Sequence, residues 1–136
     1  MAILFPTEEW IKAAMVEVNK SAEYKKAASN WEGDIIFAVT AVPDKRDGVF
    51  MFMDLWHGEC RDAFEVADPS NQSSEFVING PLPVWRRVLE GRLDPIRALV
   101  SRQLKMKGNM MKVLKAPKAA VELVNACQKV DTEWPA

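Results

Sequence analysis

The chain has 136 residues, 18 Lys+Arg against 19 Asp+Glu, two Cys and one His. That length accommodates one domain over 1–136 with a sizeable core, and the composition excludes a disordered chain, a collagen repeat and a disulfide scaffold. No apolar run approaches the ~18–20 residues of a membrane span, and Met1 to Pro6 lacks the basic start of an export signal, so a cytoplasmic protein with two free thiols is expected.

Trp10, Ile11, Ala14, Met15 and Val18 fall on one stripe of an amphipathic helix. Thr7 is placed to cap it, and Glu8 and Glu9 occupy the first turn, where the helix dipole favours them. A second short helix runs through Tyr24, Ala27 and Ala28 and ends before Glu32-Gly33. From Asp34 the period changes to two. Strands are expected over Ile35 to Val42, Val49 to His57 and Glu59 to Ala67, with turns at Pro43-Asp44, Asp47-Gly48 and Gly58, which makes an antiparallel meander. In its middle strand Val49, Met51, Met53 and Leu55 should face the helices. Phe50, Phe52 and Trp56, with Asp54, form the opposite face, a large aromatic surface that a partner chain or the termini could cover.

After the polar turn 68–73, a fourth strand spans Glu75 to Asn79, and Pro81-Leu82-Pro83 opens a helix carrying Trp85, Val88 and Leu89. Gly91 stops it. Asp94-Pro95 restarts a helix, a capping carboxylate followed by Pro at the first helical position. Leu104-Lys105-Met106-Lys107 alternates as a short strand with Lys outward, and Gly108-Asn109 turns into a final helix. Met110, Val113, Leu114, Pro117, Val121 and Val124 share one stripe of it, and Pro117 kinks or divides it. This order predicts an α+β domain, one mixed sheet with helices on one face.

The net charge of −1 is strongly segregated. Residues 1–80 hold seven Lys/Arg and fourteen Asp/Glu, residues 81–118 ten and two, and residues 119–136 one and three. A basic third can attract phosphate-bearing ligands or an anionic membrane surface, although solvated helix faces give the same count. Aromatic-basic interleaving and a recognition helix are both absent, so nucleic acid is not expected as a partner.

The residues supply little for catalysis. A lone His57 cannot build a multi-His metal site, and Cys60 and Cys127 lack paired-Cys spacing. Cys60 beside His57 has no evident orienting group to make a nucleophile pair. Asp62 with Glu65, and Asp54 with Glu59, are more simply solvent-facing charges on strands. A Gly-rich phosphate loop and a GxSxG elbow are missing as well. No enzyme activity, cofactor or metal is expected. The seven Met and five Trp are an unusual endowment, and flexible Met side chains line adaptable apolar slots as readily as fixed cores.

The stretch Phe76-Val77-Ile78-Asn79, Trp85, Leu89-Glu90-Gly91-Arg92-Leu93-Asp94-Pro95-Ile96, Leu104-Lys105-Met106-Lys107-Gly108-Asn109-Met110 and Leu114 resembles the sterol carrier protein-2 (SCP2) sterol-transfer domain family. The first helix and the meander fit that family's order. Gln103 stands where the family often has Gly, and Asn109 where Asp is common; both are turn positions. The resemblance implies a five-stranded mixed sheet backed by helices, with an apolar tunnel between them that holds sterols, fatty acids or fatty acyl-CoA without catalysis. Carried over by position, the tunnel would be lined by Met51, Met53, Ile78, Trp85, Leu89, Leu99, Met106, Met110, Met111, Leu114, Val121 and Val124. Arg102, Lys105, Lys107 and Lys112 are the candidates to meet an anionic head group, CoA phosphates or a membrane surface at its mouth. The ending Trp134-Pro135-Ala136 is not a peroxisomal signal. The alternative expectations are an interaction module that dimerises through the Phe50/Phe52/Trp56 face, and an auxiliary subunit presenting an acyl-CoA to a separate enzyme.

Overall fold

A computed structural model describes residues 2–135. The first helix, α1 (Glu8–Lys20), starts where the Thr7 hydroxyl accepts the Trp10 N–H at 3.1 Å, and it buries Trp10, Ile11, Ala14 and Val18. Ser21 ends it and caps the next helix, α2 (Ala22–Ala27), accepting the Tyr24 N–H at 3.0 Å. The meander follows as β2 (Ile35–Thr40), β3 (Val49–Trp56) and β4 (Glu59–Val66). Beyond a one-turn 3-10 helix at Pro69–Asn71, β5 (Phe76–Pro81) leads into α3 (Leu82–Leu89). The Asp94 carboxylate accepts the Ile96 and Arg97 N–H groups at 2.8 and 3.1 Å and starts α4 (Pro95–Val100). β6 (Lys105–Lys107) comes next.

Pro117 divides the last helical stretch into α5 (Met110–Leu114) and α6 (Pro117–Cys127). The ring cannot continue a helix that needs its N–H, but it suits the first position of a new one. A feature with no periodicity to announce it is the pairing of β1 (Ile3–Leu4) in parallel with β7 (Thr132–Glu133). The Trp10 indole N–H donates to the Thr132 hydroxyl at 2.9 Å beneath this pair, and Phe5 packs between Trp10 and Trp134.

The main sheet has the order β4-β3-β2-β5-β6, with β2 and β5 parallel and the other three pairings antiparallel. It is five-stranded and mixed, in agreement with the expectation. Its inner face carries Ile35, Met51, Met53, Leu55 and Ile78, all buried, under α1, α3 and α6. Polar bonds fix α1 on the meander: the Lys12 ammonium donates to the Ala63 carbonyl at 2.9 Å, and the Asn19 amide exchanges two bonds with the Cys60 backbone.

The outer face holds a second, small apolar cluster. Ile36, Phe52 and Val66 are buried there, and Phe64 stacks on Phe52 with centroids 4.9 Å apart. The aromatic surface expected for a partner is thus largely covered by its own cross-strand neighbours. Trp56 is the more open member, with the Arg61 guanidinium 4.7 Å over its ring.

Candidate functional site

Two cavities lie between the inner sheet face and the helices. The larger, ≈80 Å³, has a floor of Ile35, Phe37, Leu55 and Ile78 from the sheet. Its walls are Tyr24 and Trp31 at one side, Trp85 and Val88 of α3, and Pro95 and Leu99 of α4. Val113 and Ala116 close it beside Ala119, Ala120, Leu123 and Val124 of α6. The smaller, ≈50 Å³, sits between Met51 and Met53 of β3 and the α1 residues Trp10 and Ile11, with Leu89 and Cys127 beside them. Phe37, Trp85, Val88, Leu123 and Val124 line both cavities, so a single layer of side chains separates the two spaces.

That partition has one fixed and several adaptable members. The Trp85 indole N–H is shared between the Ala38 and Gly80 carbonyls, each at 3.1 Å, which holds the ring edge-on to Phe37 at 5.9 Å. Phe37, Leu123 and Val124 make only apolar contacts through their side chains and are half-buried. The small side chains Ala116, Ala119 and Ala120 leave the space open where α6 begins.

Of the residues expected in the lining, Ile78, Trp85, Leu99 and Val124 border the larger cavity. Met51, Met53 and Leu89 border the smaller. Met106 and Met110 pack against the core but line neither space, and Leu114 and Val121 also stay outside both. Met111 is 57% exposed. The physical reason is helical phase: Pro117 starts a new helix, so the stripe through Met110 and Leu114 does not continue into α6. Inside α6 the inward positions are instead Ala119, Ala120, Leu123 and Val124, at spacings of three and four. Ala is a weak apolar signal, which is why these positions are not evident in a hydropathy pattern.

The four cations expected to meet a head group occupy different surroundings. Lys105 and Lys107 flank Met106, which pairs with the cavity-lining Ile78, so alternation directs both Lys to the opposite face of the sheet. Arg102 is exposed at a left-handed turn position, φ 63°. Lys112 is engaged: its ammonium donates to the Glu32 carbonyl and to the Glu75 carboxylate at 2.7 Å, and lies 5.2 Å over the Trp31 ring. It therefore ties α5 across the end of the larger cavity bordered by Trp31 and Val113.

Chemically reactive groups are sparse around these spaces. Burial pushes the Cys127 and Cys60 thiols up from 9.0 to about 12, which keeps both protonated and poorly nucleophilic. His57 stands away from the cavities, between the Ser29 carbonyl at 2.8 Å and the Glu32 carboxylate at 2.6 Å. Among the described residues no cluster of three or more His, Cys, Asp or Glu is placed to hold a metal, and no helix is long and apolar enough to cross a membrane.

The sequence matches the SCP-2 sterol transfer family over residues 11–120. A crystal structure of sterol carrier protein 2 is 40% identical with a TM-score of 0.82, covering 91% of this chain and 97% of its own. A conserved hypothetical protein from Thermus thermophilus, suggested to be a sterol carrier protein, is 39% identical with a TM-score of 0.82 and coverages of 96% and 91%. Palmitated SCP2L2 from Aedes aegypti shares the fold at 11% identity, with a TM-score of 0.54 over 80% of this chain and 92% of its own. No curated protein matches the sequence.

Proposed function

The chain belongs to the SCP-2 sterol transfer family, and from that premise we propose that it binds and carries a long apolar ligand, without catalysis, in the space between sheet and helices. The observation that carries this reading is the larger cavity, whose lining is apolar except for groups on three aromatic rings. Such a space accepts methylene groups at about 0.8 kcal/mol each, with nothing in its walls to attack them. The palmitate of the Aedes aegypti relative, which has the same fold, supports an acyl chain as one occupant. A chain longer than the larger cavity would reach the smaller by displacing Phe37, Leu123 and Val124, the adaptable part of the partition. Two buried, unpaired thiols are in keeping with residence in a reducing compartment such as the cytoplasm.

Titration with cis-parinaric acid, a fluorescent fatty acid, tests the reading. Saturable one-to-one uptake is expected, together with co-purified lipid in native mass spectra. Ala120→Phe, whose six added carbons would fill the larger cavity, should abolish uptake while the circular dichroism spectrum stays native. A folded Ala120→Phe variant that binds as well as the parent would overturn the assignment of this cavity.

A further inference from the structure

Three of the side chains around the larger cavity carry a polar atom on an aromatic ring: Trp31, Trp85 and Tyr24. Two of these atoms are committed. The Trp31 indole N–H donates to the Gly33 carbonyl at 2.9 Å, and that of Trp85 is shared between the Ala38 and Gly80 carbonyls. The Tyr24 hydroxyl is different. Tyr24 is 1% exposed, and among the described residues its hydroxyl makes no hydrogen bond, while its backbone N–H donates to the Ser21 hydroxyl and its carbonyl accepts the Ala28 N–H. Among the described residues no side-chain nitrogen or oxygen is both sealed from open space and unpartnered. The hydroxyl therefore still touches open space, and the space that Tyr24 borders is the cavity.

A buried hydroxyl without a partner costs about 1–3 kcal/mol, so a protein gains nothing in stability by keeping it where Phe would fit. We propose that Tyr24 is the polar anchor for the ligand, donating its hydroxyl proton to a single neutral oxygen at the inner end of an otherwise apolar lipid. The oxygen belongs to an alcohol, an ester or a protonated acid. An ionised carboxylate would lose its hydration for one phenol donor in an apolar space, which costs several kcal/mol. Burial raises the pKa of Tyr24 still further above its already high ordinary value, so the group acts as donor throughout the physiological range. This refines the carrier reading and rests on it: the polar end of the ligand is recognised inside the cavity.

The test uses the intact protein with three probes: diphenylhexatriene, a fluorescent hydrocarbon without polar atoms, and 1-decanol and decanoate at pH 8 as its competitors. The expected result has two parts. Tyr24→Phe leaves diphenylhexatriene affinity within twofold, while the 1-decanol concentration needed to displace it rises roughly two- to twelvefold, the range of one net hydrogen bond. In the parent, decanoate competes more weakly than decanol. The thermal midpoint of Tyr24→Phe should be equal or higher, since the hydroxyl supports nothing in the empty protein. Equal decanol affinity in parent and variant would overturn the anchor while leaving the carrier reading intact. So would a parallel loss of hydrocarbon and alcohol binding with a lower midpoint, because that marks a packing role. Failure of the parent to bind diphenylhexatriene at all overturns the carrier reading and the anchor with it.

Discussion

Ala119→Leu distinguishes a real space from a filled core by the sign of its effect. Ala119 is 7% exposed on α6 and lines the larger cavity. A space of about 10–15 Å³ admits one water-sized group, so ≈80 Å³ admits roughly six. Leu adds three carbons, which would occupy about half of that room. Their burial is worth roughly 2.4 kcal/mol at 0.8 kcal/mol per methylene. Fixing the longer side chain offsets about 0.5–1 kcal/mol of this, leaving a net stabilisation of about 1.5 kcal/mol. For a chain of this size the thermal midpoint should rise by roughly 5 °C, and cis-parinaric acid uptake should weaken because half the space is gone. The assay is a urea titration of both proteins beside the binding curve. In a close-packed core the same three carbons would instead destabilise by about 1–3 kcal/mol. A lower midpoint for Ala119→Leu would therefore refute the cavity itself, whatever the binding curve shows.

Two further outcomes follow from geometry described above. Cys60 and Cys127, pushed up by burial from 9.0 to about 12, keep protons that the unfolded chain releases. Their contribution to stability is complete below about pH 9 and is lost as pH rises toward 12, at about 1.4 kcal/mol per thiol per pH unit. Urea midpoints of the parent and of a Cys60→Ala/Cys127→Ala variant should converge over that window, and a parallel pH dependence would contradict the assignment. Gly108→Ala should destabilise the protein by more than about 2 kcal/mol. At φ 119° its new Cβ would lie 2.6 Å from the Phe76 ring and 2.9 Å from the Glu75 carbonyl oxygen, and Phe76 is fully buried. Retention of the parental midpoint would show that β5 and its neighbours can shift.

Much of the fold is legible because local signals and burial agree. The Thr7 and Asp94 side chains cap the helices they precede, the period-two run from Ile35 forms the meander, and Pro117 separates two helices. The parallel pairing of β2 with β5 and the clasp of β1 with β7 have no local signature, because a two-residue strand shows no alternation and register is set by contacts distant in sequence. The site is legible only in part, in Ile78, Trp85, Leu99 and Val124 at the larger cavity and Met51, Met53 and Leu89 at the smaller, while Ile35, Phe37 and Leu55 of the sheet floor are not singled out. Large apolar residues announce a wall, whereas a cavity exists where the side chains are small. Ala116, Ala119 and Ala120 create the room, and they are nearly silent in a hydropathy pattern. The Met-rich composition suggests a Met-lined slot, but the larger cavity has no Met in its lining: Met51 and Met53 belong to the smaller one and Met111 faces solvent. Tyr24 is hidden for another reason. Helical spacing identifies it as a core residue, and only the committed indole N–H groups around it make its hydroxyl conspicuous.

The clasp between β1 and β7 also has a mechanical consequence. The two strands run in the same direction, with Ile3 beside Thr132 and Leu4 beside Glu133. A force that draws the two ends of the chain apart therefore slides one strand along the other, instead of peeling them open one bond at a time. The Ile3 N–H to Asp131 carbonyl bond and the Phe5 N–H to Glu133 carbonyl bond, 2.8 and 2.9 Å, would carry that load together. Phe5, wedged between Trp10 and Trp134, would have to leave its place in the same step. Tethered by its ends, the molecule should yield at the clasp first, with the five-stranded sheet and the larger cavity still intact behind it, while the smaller cavity loses Phe5 from its wall.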